Sequence, residues 1–294
     1  PRAIFVSAFD SAPLAPDYNF TLKDESANLQ VAVNVLNKLT KGGVIVGLNG
    51  KDASASPFSK LQNVKLYGFT GAHPAGNVGV QINNIAPINK GEIVWTIDPM
   101  FMVAIGKLFT KGIYDVTRTI AVAGNRVEKP CYVTCVPGTQ IKDLDFLTSK
   151  KEVEIFDQET GRRYISGNVL TGSNVGVDGS LDFYSNMVSV ISEGNYYEMF
   201  GWVKPMRFGK FSFSKSYFSW LTPKKKYKVD TNTNGGQRAF VVSDVYGKVL
   251  PMDIYPVYLL KAILAEDIDK MEQLGIYEVI EEDFALCEYV CPSK

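Results

Sequence analysis

Apolar positions change their period along the chain, and each change marks an element. Ala3 to Ala8 is a short apolar, β-rich run that stops at Asp10. Asp24 is placed to cap a helix beginning at Glu25, in which Val31, Ala32, Val35, Leu36 and Leu39 recur at helical spacing until Gly42-Gly43. Val44 to Leu48 and Val64 to Tyr67 read as the second and third strands, and Ile93 to Ile97 as another. Asp98-Pro99 opens an apolar helix over Met100 to Phe109, and Thr119 to Val122 closes the region as a strand. Strands alternating with helical segments imply βαβ units and a parallel sheet. Residues 1–126 are therefore expected to form a Rossmann-like parallel α/β domain.

The texture changes after Lys129-Pro130. Tyr132 to Thr134, Val153 to Phe156, Arg163 to Ile165 and Met187 to Ile191 are short β-like runs with Gly, Asn and Asp between them. Gly138 to Leu144 reads as a turn opening a short helix. Strands around one helix predict a small α+β domain of the β-grasp type over residues 127–202. Residues 203–250 read as an irregular, aromatic and basic linker, with a flexible loop at Asn232 to Gln237. Residues 251–294 read as a helical region: Val257, Leu260, Leu264, Ile268 and Met271 fall on one face, and Gly275 ends that helix. The expected class is α/β multi-domain.

Composition narrows the function classes. Lys+Arg and Asp+Glu each number 31, so the formal net charge is zero and nothing points to nucleic acid, which favours a basic face. No apolar run approaches the ~18 residues of a transmembrane helix. The start, Pro1-Arg2-Ala3, shows no leader, and both ends read as cuts in a longer protein. Four Cys in 294 residues are no disulfide framework and suit a reducing compartment.

Candidate chemistry is sparse. A dinucleotide site needs a G-x-G-x-x-G turn between the first strand and helix, so that backbone can approach a pyrophosphate. That turn is Asp10 to Pro16, with no Gly and two Pro. His73, the one His, sits in Gly71-Ala72-His73-Pro74-Ala75-Gly76, where spacing supplies no nucleophile or acid partner. It reads as a shaped loop holding backbone or partner contacts, with His73, Pro74 and Gly76 as its candidate residues. Cys287 and Cys291-Pro292 match the last two positions of the bacterial ferredoxin run C-x2-C-x2-C-x3-C-P, but its first two positions fall on Glu281 and Phe284. Four thiolates are not available there, so the cysteines read as a degenerate motif now serving packing. Cys131 and Cys135 share a strand face too far apart for a chelate. The aromatic, basic stretch 202–228 suits a protein partner in a complex, a membrane surface, or a solvated linker. Neutral overall charge counts against single-stranded nucleic acid. No residue receives a catalytic, cofactor-binding or metal-ligating role.

Several of these segments together resemble one family. Phe69 to Gly76 resembles an FTGxHPAG loop. Ile105 to Phe109 with Val122 to Gly124 is similar to the helix and strand that follow it. Ser166 to Gly172 resembles the SGxxLTG turn of a soluble-ligand-binding (SLBB-type) β-grasp unit, and Glu282 to Pro292 resembles the degenerate Cys motif. Their order resembles the A subunit of Na+-translocating NADH:quinone reductases (Na+-NQR), with distant kinship to the C subunit of Rnf complexes and the complex I flavoprotein. The resemblance implies a further N-terminal domain and C-terminal tail. It implies a peripheral subunit on the cytoplasmic face of the bacterial inner membrane, docked on the membrane-embedded B subunit and associated with quinone. It implies that flavins and the Fe–S centre belong to other subunits, with no cofactor in this chain. The alternative is a cofactor-carrying electron-transfer subunit of the Rnf type.

Overall fold

The computed structural model describes residues 1–144, 161–196, 199–201, 207, 209–211, 219–233, 236 and 238–292. The expected strand at Val153 to Phe156 and about half of the aromatic, basic stretch 202–228 lie outside them.

Four parallel strands form the first sheet: β1 (Ile4–Ser7), β2 (Val44–Asn49), β3 (Val64–Phe69) and β4 (Trp95–Thr96), in the order β3-β2-β1-β4. The apolar run of β1 is buried on both faces. Ile4 and Val6 join one core with Val44, Val46, Leu29, Val33 and Met102, while Ala3 and Phe5 join Ile45 and Ile82 on the other. That two-sided burial is why the strand reads as continuous rather than alternating.

Four helices belong to this sheet: α1 (Tyr18–Thr21), α2 (Ser26–Leu36), α3 (Val78–Ile85) and α4 (Pro99–Lys111). The Asp98 side chain accepts the Met100 amide and caps α4, Pro99 fills its first turn, and Gly112 ends it at φ 69°. In α2 the residue before the helix is Glu25, whose side chain makes no cap bond, and the helix ends at Leu36, earlier than Gly42-Gly43. Helices α2 and α4 lie against each other through Gly106, where a Cβ would come 2.2 Å from the Asn28 carbonyl oxygen.

The second sheet is mixed: β5 (Arg118–Ala123), β6 (Cys131–Cys135), β7 (Arg162–Ser166), β8 (Ser173–Asn174) and β9 (Met187–Ser192), in the order β6-β5-β9-β7-β8. Helix α5 (Ile141–Leu144) supplies Ile141 and Leu144 to a core with Ile120, Val122, Val188 and Val190. This corrects the expected boundary at residue 126. The strand at Thr119 to Val122 exists, but it pairs with β6 and, in parallel, with β9 instead of closing the first sheet. Local periodicity reports a strand and not its neighbours, so the sheet it joins was not visible in the pattern.

The C-terminal region carries α6 (Pro256–Leu264), α7 (Ile268–Gln273) and α8 (Ala285–Tyr289). The single face expected over Val257 to Met271 is broken between α6 and α7, where Glu266 takes φ 54°, leaving Leu264 and Ile268 exposed. Gly275, at φ 91°, follows α7 as expected. The region packs onto α3: Val80 joins Tyr246, Leu250, Val257, Cys287 and Val290, and Asn83 donates to Glu278 at 2.6 Å. The observed class is thus a parallel α/β sheet, a mixed α+β sheet and a helical C-terminal region.

Gly106→Ala forces α2 from α4 and is expected to destabilise the chain by about 1–3 kcal/mol. Gly247→Ala, with nothing within 4 Å of its Cβ position, is expected to stay within ~0.5 kcal/mol. Urea unfolding of the two variants checks the contrast.

Candidate functional site

The chain runs from β1 to β2 and β3 on one side, and the connection after β3 crosses back to β4 on the other side of β1, which opens a crevice beyond the carboxyl ends of β1 and β4. Ligands of open α/β sheets bind at such a point. Here three segments meet: the turn after β1, the loop after β3 and Asp98 after β4.

The loop after β3 is fastened onto the turn after β1. The Gly76 amide donates to Ser11 Oγ at 2.8 Å, and the Gly76 carbonyl accepts from Ser7 Oγ at 2.7 Å. Ser11 Oγ and His73 Nδ1 share a hydrogen bond of 3.0 Å. Gln81, 1% exposed, donates to Ser7 Oγ at 2.9 Å and to the Ala75 carbonyl at 3.2 Å. Only glycine fits at residue 76, because a Cβ would lie 2.5 Å from the Ser11 amide nitrogen. The backbone that a pyrophosphate would approach in a dinucleotide-binding fold is therefore covered by the chain's own loop.

Burial lowers the pKa of His73, against the Asp10 carboxylate and a hydrogen bond to the Ser11 backbone, which both raise it. His73 Nε2 is buried without a partner among the described residues. Burial also raises Asp10, opposed by the Ala12 amide, which donates to Oδ1 at 2.8 Å, and by His73. Sequence reasoning picked His73, Pro74 and Gly76, and the structure brings this loop onto Ser7 and Ser11. Both serines were missed, for they stand far from the loop in sequence.

A second buried cluster was also missed. The second Asp98 oxygen accepts from Asn186 Nδ2 at 2.6 Å, and the same nitrogen reaches the Tyr18 hydroxyl at 3.1 Å. Arg118, 6% exposed, stands by with its charge directed at Asp98. Burial pushes the Asp98 pKa up to about 6, with the Met100 amide, Asn186 and Arg118 opposing. Burial, then the Asp98 and Asp10 carboxylates, raise Tyr18. The Asp98-Pro99 pair gave a helix start in sequence, but nothing local disclosed that Asn186 would bury its carboxylate.

The two cysteines of the degenerate motif lie in the C-terminal region. Cys287 is 2% exposed in an apolar cluster, and burial pushes its thiol up to about 11. A metal ligand must be a thiolate, which this setting disfavours. Cys291 Sγ accepts from the Tyr246 hydroxyl at 2.8 Å. Phe284, at a vacant ferredoxin position, packs against the same cluster. Cys131 and Cys135 both lean on the core of the second sheet. Among the described residues no group of three His, Cys, Asp or Glu side chains is placed to hold a metal ion.

A parallel α/β domain with a covered crevice, followed by a mixed sheet, defines a two-domain module of the α/β-plus-SLBB class. Comparison with known proteins makes the assignment specific. The profile of the NqrA second alpha/beta domain matches residues 1–114, and that of the NQRA C-terminal domain matches residues 119–176. The A subunit of the Na(+)-translocating NADH-quinone reductase of Neisseria meningitidis serogroup B is 37% identical over all of this chain, which spans 64% of that protein's length. The protein of the same name from Rhodopirellula baltica is also 37% identical, and the chain spans 62% of it. A solved chain of NAD+-reducing [NiFe]-hydrogenase in the H2-reduced state aligns with 65% of this chain and 40% of its own at TM-score 0.42 and 13% identity. The chain thus carries the two NqrA domains that these profiles describe, and it is similar along its whole length to A subunits of Na(+)-translocating NADH-quinone reductases.

Folded protein holds the Asp98 proton up to about pH 6, whereas the unfolded chain releases it near 3.8. Stability from this group is thus unaffected below the lower value and is lost as pH rises between the two, by roughly 3 kcal/mol in all. Asp98→Asn keeps an N-cap and removes the titration. Urea midpoints measured from pH 4 to 7 are expected to fall less steeply with pH in this variant; parallel slopes would contradict the assignment.

Proposed function

We propose that this chain is part of the peripheral A subunit of a respiratory Na+-translocating NADH:quinone reductase. In this reading it helps form or cover the quinone site and docks on the membrane-embedded B subunit, at the cytoplasmic face of the inner membrane. The assembly oxidises NADH, reduces quinone and exports Na+. Flavins and the Fe–S centre are carried by other subunits, and this chain holds none. The observation that carries the reading is identity at 37% along the whole chain with relatives that bear this name.

Four structural features support it. The loop containing His73, Pro74 and Gly76 covers the turn after β1, so the crevice is built as packed structure. That loop is the proposed contact surface for quinone or partner. Cys287 and Cys291 sit in an apolar cluster and serve packing, as the missing first half of the ferredoxin run implies. No helix among the described residues is long and apolar enough to cross a membrane. Exposed Tyr255, Leu264 and Ile268 on the C-terminal region offer apolar surface of the kind that protein partners cover.

A visible absorbance spectrum with iron analysis of the purified chain tests the reading. Colourless, iron-free protein is expected. Stoichiometric flavin or iron would transfer support to the cofactor-carrying, Rnf-type alternative.

A further inference from the structure

Among the described residues the two sheets end in four edge strands, β3, β4, β6 and β8. Three of them are short or covered. β4 and β8 have two residues each. On β6, the Tyr132 ring lies 4.8 Å from that of Phe20, and its hydroxyl accepts the Asp17 amide at 2.9 Å. β3 differs from these. It has six residues, pairs with β2 on one side, and leaves Lys65, Leu66, Tyr67 and Gly68 exposed in succession.

One bond fixes which way its backbone groups point. The Gly50 amide, next after β2, donates to the Phe69 carbonyl at 2.7 Å, so Phe69 faces β2. Backbone direction alternates along a strand. Tyr67 and Lys65 therefore also face β2, while Val64, Leu66 and Gly68 turn their amides and carbonyls outward. No described residue takes these groups up. Such an edge is a template for another strand, unless Pro, a bulge or a charge guards it. β3 contains no Pro and no acid, and its one charge is turned away: Lys65 Nζ donates to the Gly42 carbonyl at 3.2 Å.

The sequence of β3 decides which strand fits. In an antiparallel pair, residues whose backbone groups point outward meet one another and exchange both hydrogen bonds. Pairing β3 with itself about a twofold axis at Leu66 satisfies this at every position. Leu66 meets Leu66 of the second copy, and Val64 meets Gly68. Between them Lys65 meets Tyr67, which places an aliphatic stem and its ammonium beside an aromatic ring. No like charges are opposed. Lys+Arg and Asp+Glu are both 31, so whole copies carry no net charge to keep them apart.

We propose that β3 is a self-association surface, along which two copies of this chain pair antiparallel and join their first sheets in the order β4-β1-β2-β3-β3-β2-β1-β4. Six residues a side make a small contact beside the roughly 1,200–2,000 Å² of a stable interface. The dimer is therefore reversible and depends on concentration.

Sedimentation velocity of the purified chain from about 10 µM to about 1 mM reads the association, and amide exchange followed by NMR reads the surface. A monomer–dimer equilibrium is expected. Exchange at the Val64, Leu66 and Gly68 amides is expected to slow as concentration rises, whereas Lys65, Tyr67 and Phe69 are protected by β2 already at the lowest concentration. Leu66→Lys sets two charges face to face at the axis and is expected to weaken the dimer several-fold. Leu66→Pro removes an amide that β2 does not use and is expected to abolish it; where that variant does not fold, Leu66→Lys decides alone. Ile268→Lys, at an exposed apolar position of the C-terminal region, is expected to leave the dimer unchanged. Monomer at every concentration would overturn the proposal, including the case in which the edge serves a strand of another protein. So would a dimer that Leu66→Lys leaves intact, or protection at β3 that does not rise with concentration.

Discussion

The peptide of Gly76 is gripped from both sides, its amide by Ser11 and its carbonyl by Ser7. This grip decides what the first sheet presents at its carboxyl ends. It lays the loop after β3 over the turn after β1, it sets His73 against Ser11, and it gives Gln81 of α3 two buried acceptors. Helix α3, once fixed, becomes the surface on which the C-terminal region packs through Val80 and Asn83. A fold class that elsewhere leaves this crevice open to a nucleotide here uses it to hold its own loop.

A second joint ties the two sheets together. Asp98 starts α4, and its carboxylate reaches across to Asn186 beside the second sheet, with Tyr18 and Arg118 completing the cluster. Removing a carboxylate from water is costly, and its hydrogen bonds recover part of that cost, which leaves a group that protonates more readily than usual. The joint therefore couples the seating of one sheet on the other to the protonation of one residue.

What was legible in sequence was what neighbours along the chain decide. The apolar runs of β1 and β2, the Asp98-Pro99 helix start and the degenerate character of Cys287 and Cys291 depend on local spacing. Helix α3 was hidden because Val78 to Ile85 contains a Gly, two Asn and β-branched residues, all weak helix formers. Its stability comes from Gln81 and Val80, which meet partners from other segments. The membership of β5 in the second sheet was hidden for a similar reason, since its parallel partner β9 is distant in sequence. His73, Pro74 and Gly76 stood out as a loop, while Ser7 and Ser11, which hold it, are ordinary residues until the fold brings them together. Arg118 carries no local signal in sequence, and only its burial beside Asp98 gives it significance.

The central proposal is that the carboxyl-end crevice of the first sheet, covered by the chain's own loop, holds no dinucleotide or flavin. Isothermal titration of the purified chain with NADH and with FMN, each to millimolar concentration, tests it directly. The account predicts no saturable binding to either. Saturable one-to-one binding of either ligand, lost on Ser11→Tyr, would contradict it by showing that the Gly76 loop yields the crevice to a cofactor.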